Sequence, residues 1–156
     1  MKILIADDQK DIRLLFKTFL RCGFLGSEID VVVNGAEAVS AFRDENYDVL
    51  LMDLRMPVKD GYQACLEIQE ICRKENLKMP FIIICTGFTA SKEVENLLAD
   101  KTHYALLHKP VSCEQIIDTI KTIMNPSKSS TEIALGKSIN LNDPKTVQSL
   151  KKVFRG

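Results

Sequence analysis

Short apolar runs alternate strictly with helical patterns along this chain, and that alternation limits its fold more than any other feature. Residues 2–6, 29–33, 48–53, 81–85 and 104–107 read as strands. The run Phe81-Ile-Ile-Ile-Cys85, set off by Pro80, is the most β-like of them. Between them, residues 11–22 place Ile12, Leu15, Phe16, Phe19 and Leu20 at helical spacing, with Gly23 expected to end that helix. Asn34-Gly35 marks a break and the start of a second helix, carrying Ala36, Val39, Ala41 and Phe42. Residues 61–75 put Cys65, Ile68 and Cys72 about a turn apart, and residues 91–99 form a short helix. Ser112 and Gln115 have the spacing of a capping box before Ile116, Ile117, Ile120 and Ile123. Five strands and five helices in alternation predict an α/β fold, a doubly wound five-stranded parallel sheet with helices on both faces. The third and fourth strands lack polar alternation, as strands covered on both faces should.

In such a sheet the ligand site lies at the carboxyl ends of the strands. Here the first strand runs into Asp7-Asp8, the third into Asp53, the fourth into Thr86-Gly87 and the fifth into His108-Lys109-Pro110. A parallel sheet brings all of these to one rim. Three carboxylates held close together need a counter-ion. A hard divalent cation, Mg²⁺ or Mn²⁺ in its place, meets that need, and Mg²⁺ favours one or two carboxylates together with waters and phosphate oxygens. A carboxylate can itself be the nucleophile in phosphoryl transfer. The run Val49-Leu-Leu-Met52 thus ends in Asp53 because the strand delivers a nucleophile to the rim.

The segments ILIADD, DVLLMDLRMPVKDG, CTG and HKP, in this order and spacing, resemble the response regulator receiver family of two-component signalling, in its chemotaxis-receiver-like form. The resemblance covers residues 1 to about 124 and implies the flavodoxin-like (βα)5 arrangement. It implies Asp53 as phosphoacceptor, Asp8 as a direct metal ligand and Asp7 as an acid acting through water. Arg55 would contribute its backbone carbonyl, Thr86 a switch hydroxyl and Lys109 the cation that pairs with the phosphoryl group. A cis bond before Pro110 is also implied. So are a histidine kinase or phosphotransfer protein as donor, and a downstream protein or a second copy as output partner, with contacts around residues 91–122. The chain would not be an enzyme beyond Mg-dependent self-phosphorylation and self-dephosphorylation.

The sequence departs from the family at Leu106, where an aromatic residue usually follows the threonine inward. Tyr104 lies two residues earlier, on the same side of the strand. Arg55 and Phe88 should flank the phosphoryl group beside Gly87, and a bulky Phe88 excluding water implies slow self-dephosphorylation. His103 and His108 read as surface or packed imidazoles, and Asp60-Gly61 as a turn before a helix.

The remaining features narrow the class. The apolar runs fall far short of the roughly 18 residues of a membrane span, and "MKILIADDQ" is too short a lead for a signal peptide. Five scattered cysteines with no CxxC predict free thiols in a reducing compartment, hence a cytoplasmic protein. Residues 126–156 hold six basic and two acidic side chains, against 15 basic and 19 acidic before them. So small an excess argues against a direct nucleic-acid partner, and no membrane partner is expected. The expected organisation is a receiver domain over 1–124 and a C-terminal extension over 125–156, a linker followed by a short amphipathic helix after Asp143-Pro144. That helix would dock on its own domain, dimerise, bind a partner or latch the domain. Met1 directly before the first strand suggests a free-standing protein. Two competing functions follow: a phosphorylation-independent interaction or dimerisation module on a receiver fold, and a phosphatase or phosphotransferase acting on small molecules.

Overall fold

A computed structural model describes residues 1–87 and 89–124. The chain divides into two units, Met1–Met124 and Asn125–Gly156. Phe88 and the extension, with the expectations attached to them, lie outside the described residues.

The elements run β1 (Lys2–Ala6), α1 (Lys10–Gly23), β2 (Glu28–Val32), α2 (Gly35–Asp44), β3 (Val49–Met52), α3 (Gly61–Glu75), β4 (Phe81–Thr86), α4 (Lys92–Leu98), β5 (Tyr104–His108) and α5 (Cys113–Met124). All strand pairs are parallel, in the order β2-β1-β3-β4-β5. The expected α/β fold is present, and in this doubly wound order the chain reverses direction across the sheet between β1 and β3.

Strand residues alternate between two cores because successive side chains point to opposite faces. Leu4, Leu50, Met52, Ile82 and Ile84 meet α2, α3 and α4, with Phe42, Ile68 and Val94 among the partners. Ile3, Ile5, Val49, Leu51, Ile83 and Cys85 meet α1 and α5 through Phe16, Leu20, Ile116 and Ile120. With both faces covered, β3 is buried at every position, which is why it shows no polar alternation in sequence.

Caps fix where the helices begin. Asn34 Oδ1 accepts the Glu37 amide at 2.8 Å, and Asp60 Oδ1 accepts that of Gln63 at 2.8 Å. The capping box at α5 is present in both directions: the Gln115 amide donates to Ser112 Oγ at 3.2 Å, and the Ser112 amide to Gln115 Oε1 at 2.8 Å. Gly23, expected to terminate α1, ends it as its last residue. A Cβ there would meet Ile117 Cδ1 at 2.8 Å, so glycine serves the α1–α5 approach. Among the described residues the glycine with positive φ is Gly26, at 79°. The third strand is shorter than expected: Asp48 and Asp53 flank it rather than belong to it.

Candidate functional site

Backbone hydrogen bonds carry the acids to the rim. The Asp53 amide donates to Ala6 O at 2.9 Å and the Asp7 amide to Val32 O at 3.3 Å, so the residues just past β3 and β1 stay in step with their neighbours. The Lys109 amide donates to Thr86 O at 2.8 Å and ties the end of β5 to that of β4. The bond between Lys109 and Pro110 is cis, as the resemblance implied.

Asp7, Asp8 and Asp53 each present a carboxylate oxygen within 4.8 Å of the others. Asp7 and Asp53 are buried and Asp8 is exposed. Lys109 Nζ donates to Asp53 Oδ2 at 2.6 Å and to Asp7 Oδ2 at 2.8 Å, bridging two strand ends 56 and 102 residues away in sequence. Burial alone would lower the pKa of this ammonium. The hydrogen bonds and charges of Asp53 and Asp7 outweigh burial and raise it, so Lys109 stays charged at neutral pH. Three carboxylates and one ammonium leave an excess of two negative charges. That donor set of hard oxygens, with one exposed acid, suits a small divalent cation.

The other expected residues fall as follows. Thr86 is fully buried at the end of β4, and Gly87 follows it, exposed. Arg55 is exposed, and its amide donates to Asp53 Oδ1 at 3.3 Å. Leu106 pairs with Ile84, half-buried against the α2–α3–α4 core. Tyr104 pairs with Ile82, about 13 Å down the strand from the rung that joins Thr86 to His108. Its ring is buried in that core, so it does not stand in for an aromatic residue at 106. His108 is exposed, and His103 pairs with Asp100 at 2.9 Å in the α4–β5 turn.

The cysteines are free, and four of the five are buried. Burial pushes the Cys65 and Cys85 thiols up to about 12 and Cys113 to about 11, which keeps them protonated and unreactive.

Two contributors escaped the sequence reading. Gly61, expected to serve only a turn, lies against Asp53: a Cβ there would sit 2.0 Å from Asp53 O. Arg13 on α1 donates from Nη1 to Asp7 O at 2.6 Å. Gly61 carries a faint signal, glycine eight residues after an acid at a strand end. Arg13 carries none, since in sequence it has the form of any solvated cation on a helix.

The profile of the response regulator receiver domain matches residues 3–121. The chain belongs to this family. It is 30% identical over 123 residues to the transcriptional regulatory protein ResD of Bacillus subtilis, a match covering 79% of this chain and 48% of that one. It therefore spans about half the length of the curated relatives it matches. Among solved structures it is similar to the Francisella response regulator 1452 receiver domain, at 29% identity and a TM-score of 0.62, covering 81% of this chain and 98% of that one. It is also similar to the receiver domain of the sensor histidine kinase PA1611 from Pseudomonas aeruginosa, described with magnesium coordinated in its active-site cleft. That match has 28% identity and a TM-score of 0.65, covering 80% and 97% of the two chains. The expectation of no nucleic-acid partner does not fit relatives named as transcriptional regulators, and it is withdrawn. Among the described residues no helix is long and apolar enough to cross a membrane.

Proposed function

We propose that this receiver accepts a phosphoryl group on Asp53 from the phosphohistidine of a histidine kinase or phosphotransfer protein, as a cytoplasmic, Mg²⁺-dependent step, and switches protein partners as a result. The observation that carries the reading is the Lys109 ammonium bridging Asp53 and Asp7, with Asp8 beside them. An Asp53 carboxylate oxygen attacks phosphorus, the phosphorus–nitrogen bond to the donor imidazole breaks, and an acyl phosphate remains. Asp8 and Asp53, with Asp7 behind them and the Arg55 carbonyl, would hold Mg²⁺, which neutralises charge on the transferring group when bound. Lys109 then passes from the carboxylate to the new phosphoryl oxygens, where a compact cation fits. Thr86 offers its hydroxyl from the end of β4. Beyond gaining and losing this group the chain turns over no substrate of its own.

Leu106 favours a second reading, a module that binds partners whatever its phosphorylation state. Intact mass after incubation with acetyl phosphate separates the two. The first predicts one added phosphoryl group that needs Mg²⁺ and is absent in Asp53→Asn. The second predicts no adduct, with partner binding unchanged in that variant.

A further inference from the structure

Every polar atom of Asp7 is engaged. Its amide donates to Val32 O at 3.3 Å, Oδ1 accepts the Gln9 amide at 2.8 Å, and Oδ2 accepts Lys109 Nζ at 2.8 Å. Its carbonyl oxygen accepts Arg13 Nη1 at 2.6 Å. That oxygen belongs to the peptide plane joining Asp7 to Asp8. Holding it fixes the plane's rotation, and with it the direction in which Asp8 leaves the strand.

Arg13 holds this post against local preference. It sits in the first turn of α1, its amide donating to Gln9 O at 3.1 Å, where the helix dipole disfavours a cation. The Gln9 side chain makes no cap to α1. The entry to this helix is secured instead by Asp7 reaching forward to the Gln9 amide and Arg13 reaching back to the Asp7 carbonyl.

We propose that Arg13 is a positioning residue for the divalent cation, holding the Asp7–Asp8 peptide so that both carboxylates face Asp53. This rests on the reading of Asp7, Asp8 and Asp53 as a metal site. Two roles for Arg13 predict opposite signs. As a charge near three carboxylates it repels a cation, and its removal tightens metal binding. As a clamp it preorganises the ligands, and its removal weakens binding. Loss of a partner that orients a metal ligand commonly costs about 10–100-fold in affinity.

The experiment is calorimetric titration of the whole chain with Mg²⁺, for wild type, Arg13→Gln and Arg13→Lys, alongside phosphorylation by acetyl phosphate across Mg²⁺ concentrations. The expected result is a dissociation constant raised about tenfold in Arg13→Gln and partly restored in Arg13→Lys, whose ammonium can donate once to the same carbonyl. At saturating Mg²⁺ the phosphorylation rate of Arg13→Gln should return to within about twofold of wild type, because the reacting groups themselves are intact. Unchanged or tighter Mg²⁺ binding in Arg13→Gln overturns the proposal, and so does a rate that stays depressed at saturation. If Arg13→Gln does not fold, Arg13→Lys decides: binding weakened by a smaller factor supports the clamp, and wild-type binding refutes it. A wild-type chain that takes up no Mg²⁺ overturns the metal-site reading itself, an outcome distinct from equal binding by wild type and variant.

Discussion

Replacing Gly61 with alanine should damage stability and phosphorylation together, for one geometric reason. A Cβ at this position would lie 2.0 Å from the carbonyl oxygen of Asp53, 2.9 Å from its carbonyl carbon and 2.9 Å from Met52 Cγ. An ordinary carbon–oxygen contact is roughly 3.3 Å, so the closest approach is short by more than 1 Å. The obstacle is backbone and cannot rotate away. Retreat of α3 is opposed by the Gly61 amide bonded to Leu54 O at 2.9 Å and by the Asp60 cap. Inserting one carbon into a packed site costs about 1–3 kcal/mol, and a clash with the Asp53 backbone, which no rotamer change relieves, points to the upper end. If Asp53 yields instead, a shift of about 1 Å can lower the rate of a positioned reaction about 100-fold. The assays are urea unfolding and the initial rate of phosphorylation by acetyl phosphate, for Gly61→Ala and for Gly26→Ala as control. Gly26 has φ of 79° and open space around it, so alanine there should cost about 1 kcal/mol of strain and leave the rate unchanged. A Gly61→Ala variant within about 0.5 kcal/mol of wild type would refute the packing argument. A destabilised variant that is phosphorylated at the wild-type rate would refute the link to Asp53.

Three further predictions concern residues away from the carboxylates. The Tyr104 hydroxyl is buried without a hydrogen-bond partner, so Tyr104→Phe should raise urea stability by about 1 kcal/mol and leave the phosphorylation rate unchanged. Val58 is 87% exposed with φ of 69°, in a tight turn closed by the Lys59 amide on Pro57 O at 2.8 Å. Relieving that β-branched residue with Val58→Gly should stabilise the chain by about 1 kcal/mol in the same assay, net of the extra freedom glycine gives the unfolded chain. Burial, with the Asp30 carboxylate its hydroxyl reaches at 3.0 Å, pushes Tyr47 up to about 12 from 10.0. The neutral form is favoured in the folded state, so this contribution is complete below pH 10 and lost as pH rises towards 12. Subtracting the unfolding free energies of Tyr47→Phe from wild type across that window should show a decline of about 2–3 kcal/mol, and a flat difference would sink the assignment.

Much of this was legible in the sequence because sheet geometry leaves few choices. Once residues 2–6, 48–53 and 81–85 are strands of a parallel sheet, their last residues must share a rim, and Asp7, Asp8, Asp53 and Thr86 follow. The capping box at Ser112 and Gln115 was readable because its partners lie three residues apart. What stayed hidden depends on contacts between distant elements. Gly61 has the form of punctuation, yet it is small because the Asp53 backbone comes close. Arg13 has the residue type and spacing of a solvated helix cation, and only the fold of the β1–α1 turn shows its carbonyl partner. Tyr104 reads as a candidate for the aromatic missing at 106, but pairing with Ile82 puts it too far down the strand.

The charge balance at the rim makes Lys109 the most informative residue to remove. Its ammonium meets two carboxylates at 2.6 Å and 2.8 Å and is largely shielded from water. If its role were to hold the carboxylates apart for a metal ion, Lys109→Met would weaken both Mg²⁺ binding and phosphorylation. The arrangement argues for opposite signs. Before phosphorylation Lys109 is a competing cation: it occupies an oxygen of Asp53 and of Asp7, and its charge opposes a second cation arriving within a few ångströms. At an effective dielectric constant of about 20, such repulsion amounts to several kcal/mol at close range, and water at the exposed side of the cleft reduces it. Lys109→Met should therefore tighten Mg²⁺ binding about tenfold or more by calorimetric titration. During transfer the same ammonium is needed on the phosphoryl oxygens, where removal of a preorganised charged donor costs about 100-fold or more. The phosphorylation rate by acetyl phosphate should fall by that order even at saturating Mg²⁺, a loss that added metal does not repair. Weaker metal binding with a rate restored by excess Mg²⁺ would reverse the argument and make Lys109 a scaffold for the cation rather than a partner of the phosphoryl group.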